Sequence, residues 1–176
     1  MGRDVPGAPE GAAARRQGES VYKFRLNDCR QAMAGYQKVL DQPGHENDQL
    51  QYGVPDCYFR LNNFAQARLE FESLNKNYAH SDLVAEVQYR IAMTYALEGK
   101  QPEAASTYSL VIEQWPESPY ALEARFGLAT VLEEQEKLLE ALKILEELTG
   151  VYPKQDILER KIEQVRERID KKKKAI

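Results

Sequence analysis

The side chains best suited to chemistry are few. Cys29, Cys57, His45 and His80 make up the whole complement of thiols and imidazoles. A four-ligand metal site would have to use nearly all of them, and their spacing fits no ligand pattern. No metal and no cofactor is therefore expected. Glu133, Glu134 and Glu136 crowd three carboxylates into one stretch, which is raw material for acid–base work, yet the pattern places them on the exposed end of a helix. There is no glycine-rich phosphate loop, no nucleophile elbow and no paired histidine–carboxylate motif. The chain reads as non-enzymatic, without a small-molecule substrate, and its histidines read as surface residues in turns.

Composition sets the frame for these residues. The 176 residues carry 24 Lys plus Arg against 28 Asp plus Glu, and 43% are hydrophobic. That is enough apolar material for a core and too much for a disordered chain. No run approaches the ~18 consecutive apolar residues that a membrane span needs. The opening Met1-Gly-Arg-Asp-Val-Pro has no apolar region of the kind a secretory signal requires, and Pro6 breaks the myristoylation pattern. Residues 1–11, with Gly2, Gly7, Gly11, Pro6 and Pro9, have the composition of a disordered linker.

Internal repetition dominates the remainder. Ala67, Ala104 and Ala141 stand 37 residues apart, as do Tyr89 and Phe126, Ile91 and Leu128, Ala92 and Ala129, and Pro116 and Pro153. A shift of 35 lays Phe24-Arg-Leu-Asn-Asp-Cys-Arg-Gln-Ala on Phe59-Arg-Leu-Asn-Asn-Phe-Ala-Gln-Ala and Tyr36 on Phe71. Four units follow, at about 12–43, 44–78, 79–116 and 117–153. Each reads as two helices, because its apolar residues recur at three- and four-residue intervals (Leu83, Val84, Val87, Ile91, Met93 and Tyr95 in one case) and never in strict alternation. Ser118-Pro119 and Ser81-Asp82 are helix starts, pairing a hydroxyl cap with proline at the first position or with a carboxylate near the positive helix end. Asn27, Asn62 and Gly99 suit left-handed turns inside the units. Glu136 does not, so the last turn is expected to be built differently.

The spacing of Ile91, Ala92, Tyr95, Gly99, Ala104, Tyr108 and Pro116 resembles the tetratricopeptide repeat. Small residues there let the two helices of a unit approach, and Phe71, Tyr108 and Leu145 fill the space between units. The second unit departs from the pattern at Gly53 and Pro55, so its first helix is either kinked at Pro55 or begins there. Gly18 and Lys23 weaken the first unit. The resemblance implies an all-α, right-handed superhelix of helical hairpins, an α-solenoid whose concave groove binds a peptide or helical segment of a protein partner. The groove residues it implies are Tyr52, Asp56, Phe59 and Arg60 in unit two, Tyr89, Arg90, Met93 and Leu97 in unit three, and Phe126, Thr130 and Glu133 in unit four. Aromatic, Met and Arg side chains are the types enriched at binding hot spots. The other reading of Tyr89 and Phe126 is that they are simply core. Relatives that clamp carboxylates use Lys, Asn and Arg at these places; the aromatic and acidic residues here point to an apolar or mixed peptide.

A second stretch, Trp115-Pro-Glu-Ser-Pro-Tyr-Ala-Leu-Glu-Ala-Arg-Phe-Gly-Leu-Ala, is similar to the helix start of bacterial cell-envelope repeat proteins of the BamD and YbgF type. That likeness implies a periplasmic scaffold in outer-membrane biogenesis, pilus assembly or division, held to a membrane only through an upstream lipid anchor. The alternatives are a cytoplasmic adaptor or regulatory subunit, or a binder of nucleic acid or an anionic surface through its basic end. Residues 154–176 read as an amphipathic capping helix with Leu158, Ile162, Val165 and Ile169 on one stripe. Its nine basic and five acidic residues give +4, against −7 for residues 102–147 with three basic and ten acidic. Lysines at a helix C-terminus complement the helix dipole without any partner, so Lys171–Lys174 read as a solvated tail. Cys29 at the start of its helix and Cys57 late in the next fall at ends that an antiparallel hairpin brings together. They are either a disulfide, contributing ~3–4 kcal/mol in an oxidising compartment, or two buried reduced thiols.

Overall fold

A computed structural model describes residues 29–40 and 48–174 of the chain. The linker at 1–11, the first helix of unit one and His45 lie outside them. Among the described residues eight helices follow one another: α1 (Cys29–Leu40), α2 (Asp48–Arg60), α3 (Phe64–Asn77), α4 (Val84–Leu97), α5 (Gln101–Gln114), α6 (Pro119–Glu134), α7 (Leu138–Glu147) and α8 (Gln155–Lys174). No strand occurs among the described residues. Each helix packs against the next, and α4 also packs against α6. This is the all-α solenoid that the repeat implied, closed at one end by α8. With α1 as the second helix of unit one, α2, α4 and α6 are the first helices (A) of their units and α3, α5 and α7 the second (B).

Hairpin turns are made the same way three times. Asn62, Gly99 and Glu136 adopt φ of 58°, 72° and 62°. The N–H of each donates to the carbonyl three residues back, and the following N–H donates five residues back, as in Lys100 to Tyr95 at 2.9 Å and Lys137 to Leu132 at 2.9 Å. This pair of bonds satisfies the last carbonyls of the A helix. The last turn is thus not built differently: Glu136 takes the conformation that Gly99 takes freely. Helix starts are less uniform. Ser118 accepts from the Tyr120 N–H at 3.2 Å and Pro119 is the first helical residue, as expected. Ser81 instead sits in a turn and accepts from the Leu83 N–H, while α4 proper begins at Val84. Pro55 lies buried inside α2, which starts at Asp48, so proline does not begin that helix.

Packing follows from residue size. Ala67, Ala104 and Ala141 are fully buried, which lets the helices of a hairpin come close, and Phe71, Tyr108 and Leu145 fill the junctions with the next unit. Full burial of side chains of this size stabilises by about 1.5–3 kcal/mol each. Two of the helical glycines, Gly53 and Gly127, explain one another. A Cβ on Gly127 would lie 2.5 Å from the Tyr108 ring, and one on Gly53 would lie 2.5 Å from the Tyr36 ring. Gly53 is therefore a seat for the tyrosine of the preceding unit. Arg90 occupies the same place in unit three, where the preceding residue is Phe71 and lacks a hydroxyl.

The end of the array is held by charge as well as by oil. Leu158, Ile162 and Val165 of α8 join Leu138, Leu145 and Leu148 in one buried cluster. Beside them Glu133, only 2% exposed, accepts from Arg168 at 2.8 Å and Gln164 at 3.1 Å and is paired with Lys161. Arg168 and Lys172 also hold Glu136, the latter at 2.6 Å. Burial works against the charge on Glu133, but its hydrogen bonds from Lys161 and Arg168 outweigh it and keep the carboxyl below the usual range.

Candidate functional site

The A helices carry a row of rings and carboxylates from one unit to the next. Tyr52 on α2 donates to Glu86 on α4 at 2.6 Å. Tyr120, at the start of α6, faces the same carboxylate, and burial followed by Glu86 pushes its phenol up to about 12. Glu86 thus ties α2 to α4 directly and faces a phenol of α6. One repeat further on, Glu123 receives Tyr152 at 2.8 Å and Lys154 at 3.0 Å. The rings continue between these points. Tyr89 lies 5.7 Å from Tyr120 and 6.0 Å from Tyr108, and Phe126 stacks on Tyr152 at 5.1 Å with their planes 3° apart. Burial, then the nearby Glu123, pushes the Tyr89 phenol up to about 12.

The charges on this wall are answered locally. Arg60 pairs with Asp56 at 2.9 Å, and Arg90 lies 5.5 Å over the Phe59 ring with Glu86 at 4.0 Å. One donor of Arg90, its Nε, is buried without a hydrogen-bond partner among the described residues. The wall is therefore aromatic, nearly neutral in sum, and holds one under-used guanidinium near its centre.

The expected groove residues are only partly brought together. Tyr52, Asp56, Phe59, Tyr89, Arg90, Met93, Phe126 and Thr130 are all half-buried, with one edge left to solvent. Tyr89 and Phe126 pack against the buried clusters as well, so they serve the core and the wall at once. Arg60 and Leu97, the latter 54% exposed, stand at the turn end of the wall. The Thr130 hydroxyl is turned back to the Phe126 carbonyl at 3.1 Å. Glu133 departs from both expectations for it. It is neither an exposed carboxylate nor a groove residue, because α8 covers it and supplies its cations. Glu134 and Glu136 are exposed, as is His80. Cys29 and Cys57 are buried side by side as thiols. Among the described residues no cluster of three or more metal-ligating side chains occurs, and no helix is long and apolar enough to cross a membrane.

Sequence reasoning missed Glu86, Tyr120, Glu123 and Tyr152. A signal was available, since Glu86 and Glu123 are 37 residues apart and so occupy the same place in successive units. Carboxylates on a helix otherwise rich in apolar residues read as solvated, and nothing local shows that a tyrosine from a different repeat will reach them.

Comparison with known proteins decides the kind of repeat. Residues 86–118 match the tetratricopeptide repeat family. That stretch holds most of α4, all of α5 and the turn between them. No curated protein sequence matches the chain. Among solved structures, MamA of AMB-1 superimposes with a TM-score of 0.65 at 18% identity, over 94% of this chain and 85% of that one. A putative kinesin light chain of Podosopora anserina with nearly identical TPR-like repeats gives 0.62 at 17% identity, over 94% and 86%. A further structure of that kinesin light chain gives 0.60 at 17%, over 94% and 87%. At these identities the likeness concerns the fold, which is a tetratricopeptide-like solenoid over the described residues.

Proposed function

We propose that this chain is a non-enzymatic scaffold that holds a segment of a protein partner along the wall of α2, α4 and α6. The observation that carries this reading is the set of half-buried rings, Tyr52, Tyr89, Tyr120 and Phe126, distributed over three successive units with part of each left to solvent. Half-buried rings held by packing on their neighbours, and in Tyr52 by a hydrogen bond to Glu86, are pre-organised, so a partner loses little further freedom by packing on them. Because Arg60, Arg90 and Lys154 already face carboxylates, the wall favours an apolar or mixed segment over a strongly charged one. Fold alone does not confer a function; the argument rests on this surface.

The setting we favour is a bacterial cell envelope, on the strength of the Trp115–Ala129 helix start, with the chain periplasmic and any membrane attachment made through a lipid upstream. A cytoplasmic adaptor with the same wall is the other reading. Lys171 and Lys172 face Glu167 and Glu136, which supports a role inside the cap over one toward nucleic acid.

The test is crosslinked capture from the native cell, comparing wild type with Tyr89→Ala/Phe126→Ala. The double variant should lose its partner while keeping its helical circular dichroism. Collapse of the helical signal would mean that these rings act only as core. Cell fractionation settles the compartment independently.

A further inference from the structure

The two cysteines play no part in the proposed wall, yet their placement is specific. Cys29 is the first residue of α1, and Cys57 lies in the last turn of α2. They are 6% and 4% exposed, share one buried cluster with Ala32, and are flanked by Met33 and Tyr36. Both are free thiols packed in the same small cluster. The repeat shows that this pairing is particular to one junction. The first residues of the other B helices are Phe64, Gln101 and Leu138, and the residues equivalent to Cys57 are Thr94 and Val131. The same backbone frame thus carries a pair of sulfurs at one junction and none at the others.

We infer that Cys29 and Cys57 form a thiol–disulfide pair that closes on oxidation and fastens α1 to α2. The step is an exchange with a small-molecule disulfide such as oxidised glutathione. One cysteine loses its proton, attacks the reagent and expels one small thiol, leaving a mixed disulfide. The second cysteine then loses its proton, attacks the cysteine sulfur of that bond and expels the other small thiol. The protein gives up two protons and two electrons, and the reagent disulfide is reduced to two thiols. Entry requires local opening. Among the described residues α1 packs chiefly on α2, so lifting one helix exposes both sulfurs. While the helix is seated, burial pushes the Cys57 thiol up, and neither buried sulfur is open to a reagent. Reaction therefore tracks the opening of α1, and the product prevents it.

The experiment uses the full chain, incubated with or without oxidised glutathione, quenched with N-ethylmaleimide and weighed intact under denaturing conditions. The expected result is a mass lower by two hydrogens, no maleimide on either cysteine, and a melting temperature raised by roughly 5–10 °C over the reduced protein. Cys29→Ser and Cys57→Ser should show no such rise, and reduced wild type serves as the folded control if a variant is unstable. The inference is overturned if both thiols of oxidised wild type remain alkylatable. It also fails if the end product is a glutathione adduct or a chain dimer, or if the crosslink forms without raising the melting temperature.

Discussion

The junction between α5 and α6 and the junction between α7 and α8 do the same work by different means. In the first, Tyr108 lies on Gly127 with nothing but ring against backbone, in a cluster with Ala104, Val111, Ala124 and Val131. In the second, α8 adds to its apolar stripe a grip on a buried carboxylate of α6, Glu133, through Lys161, Arg168 and Gln164. An apolar junction depends on shape and hardly at all on pH or salt. A partly ionic one depends on protonation and on every partner being present, because a buried charge that loses its counter-ions is costly. The inner repeats are therefore fastened by fit, and the cap is fastened by fit and charge together.

The largest effect should come from breaking the ionic fastening. Glu133→Ala leaves Lys161 and Arg168 facing a void and should destabilise by about 3 kcal/mol, read as a lower midpoint in urea. If α8 tolerates the change without loss, the charges are ornamental and the two junctions are alike. Next in size is the apolar junction. Gly127→Ala drives a methyl into the Tyr108 ring and should cost about 2 kcal/mol. Adding Tyr108→Phe should recover part of that loss, since unit three shows a side chain at this place opposite a phenylalanine; a double-mutant cycle measures the coupling.

Acid should separate the junctions next. The Glu133 carboxyl is held below its unfolded value of about 4.3, so its contribution is complete above that value and disappears as pH falls through the lower folded one. Denaturation midpoints should fall across that window in wild type more than in Glu133→Gln, while the cost of Gly127→Ala stays constant. The smallest effect belongs to the last turn. Glu136→Gly relieves the left-handed backbone but loses Arg168 and Lys172, so its melting temperature should stay close to wild type. Glu136→Ala keeps the unfavourable backbone, loses both partners, and should melt lower.

Much of the fold was legible because it depends on spacing. Alanines 37 residues apart, the aromatic fillers between units and the Ser118-Pro119 start all carry their meaning in their own sequence neighbourhood, and the structure uses them so. Gly53 was read as a fault in unit two because its reason lies in Tyr36, on another helix. Glu136 was set aside on residue type, yet its turn is specified by the same backbone bonds as its neighbours and by cations more than thirty residues away. Glu133 was misplaced for the same reason: its partners come from a helix whose lysines and arginines look, along the chain, like solvent-facing charge. Of the wall, the rings were named and the carboxylates that link them were not, since a phenol–carboxylate bond between repeats leaves no local trace.

The tyrosine–glycine seats have a further consequence for how such an array can change over evolutionary time. Copying unit three in tandem would bring Tyr108 of the first copy against Arg90 of the second, a side chain where only a bare backbone fits. Deleting that unit would bring Phe71 against Gly127 and leave a hollow. The modules are therefore not interchangeable beads: each fits its own successor, and the order and number of these units resist shuffling even though their backbones are nearly the same.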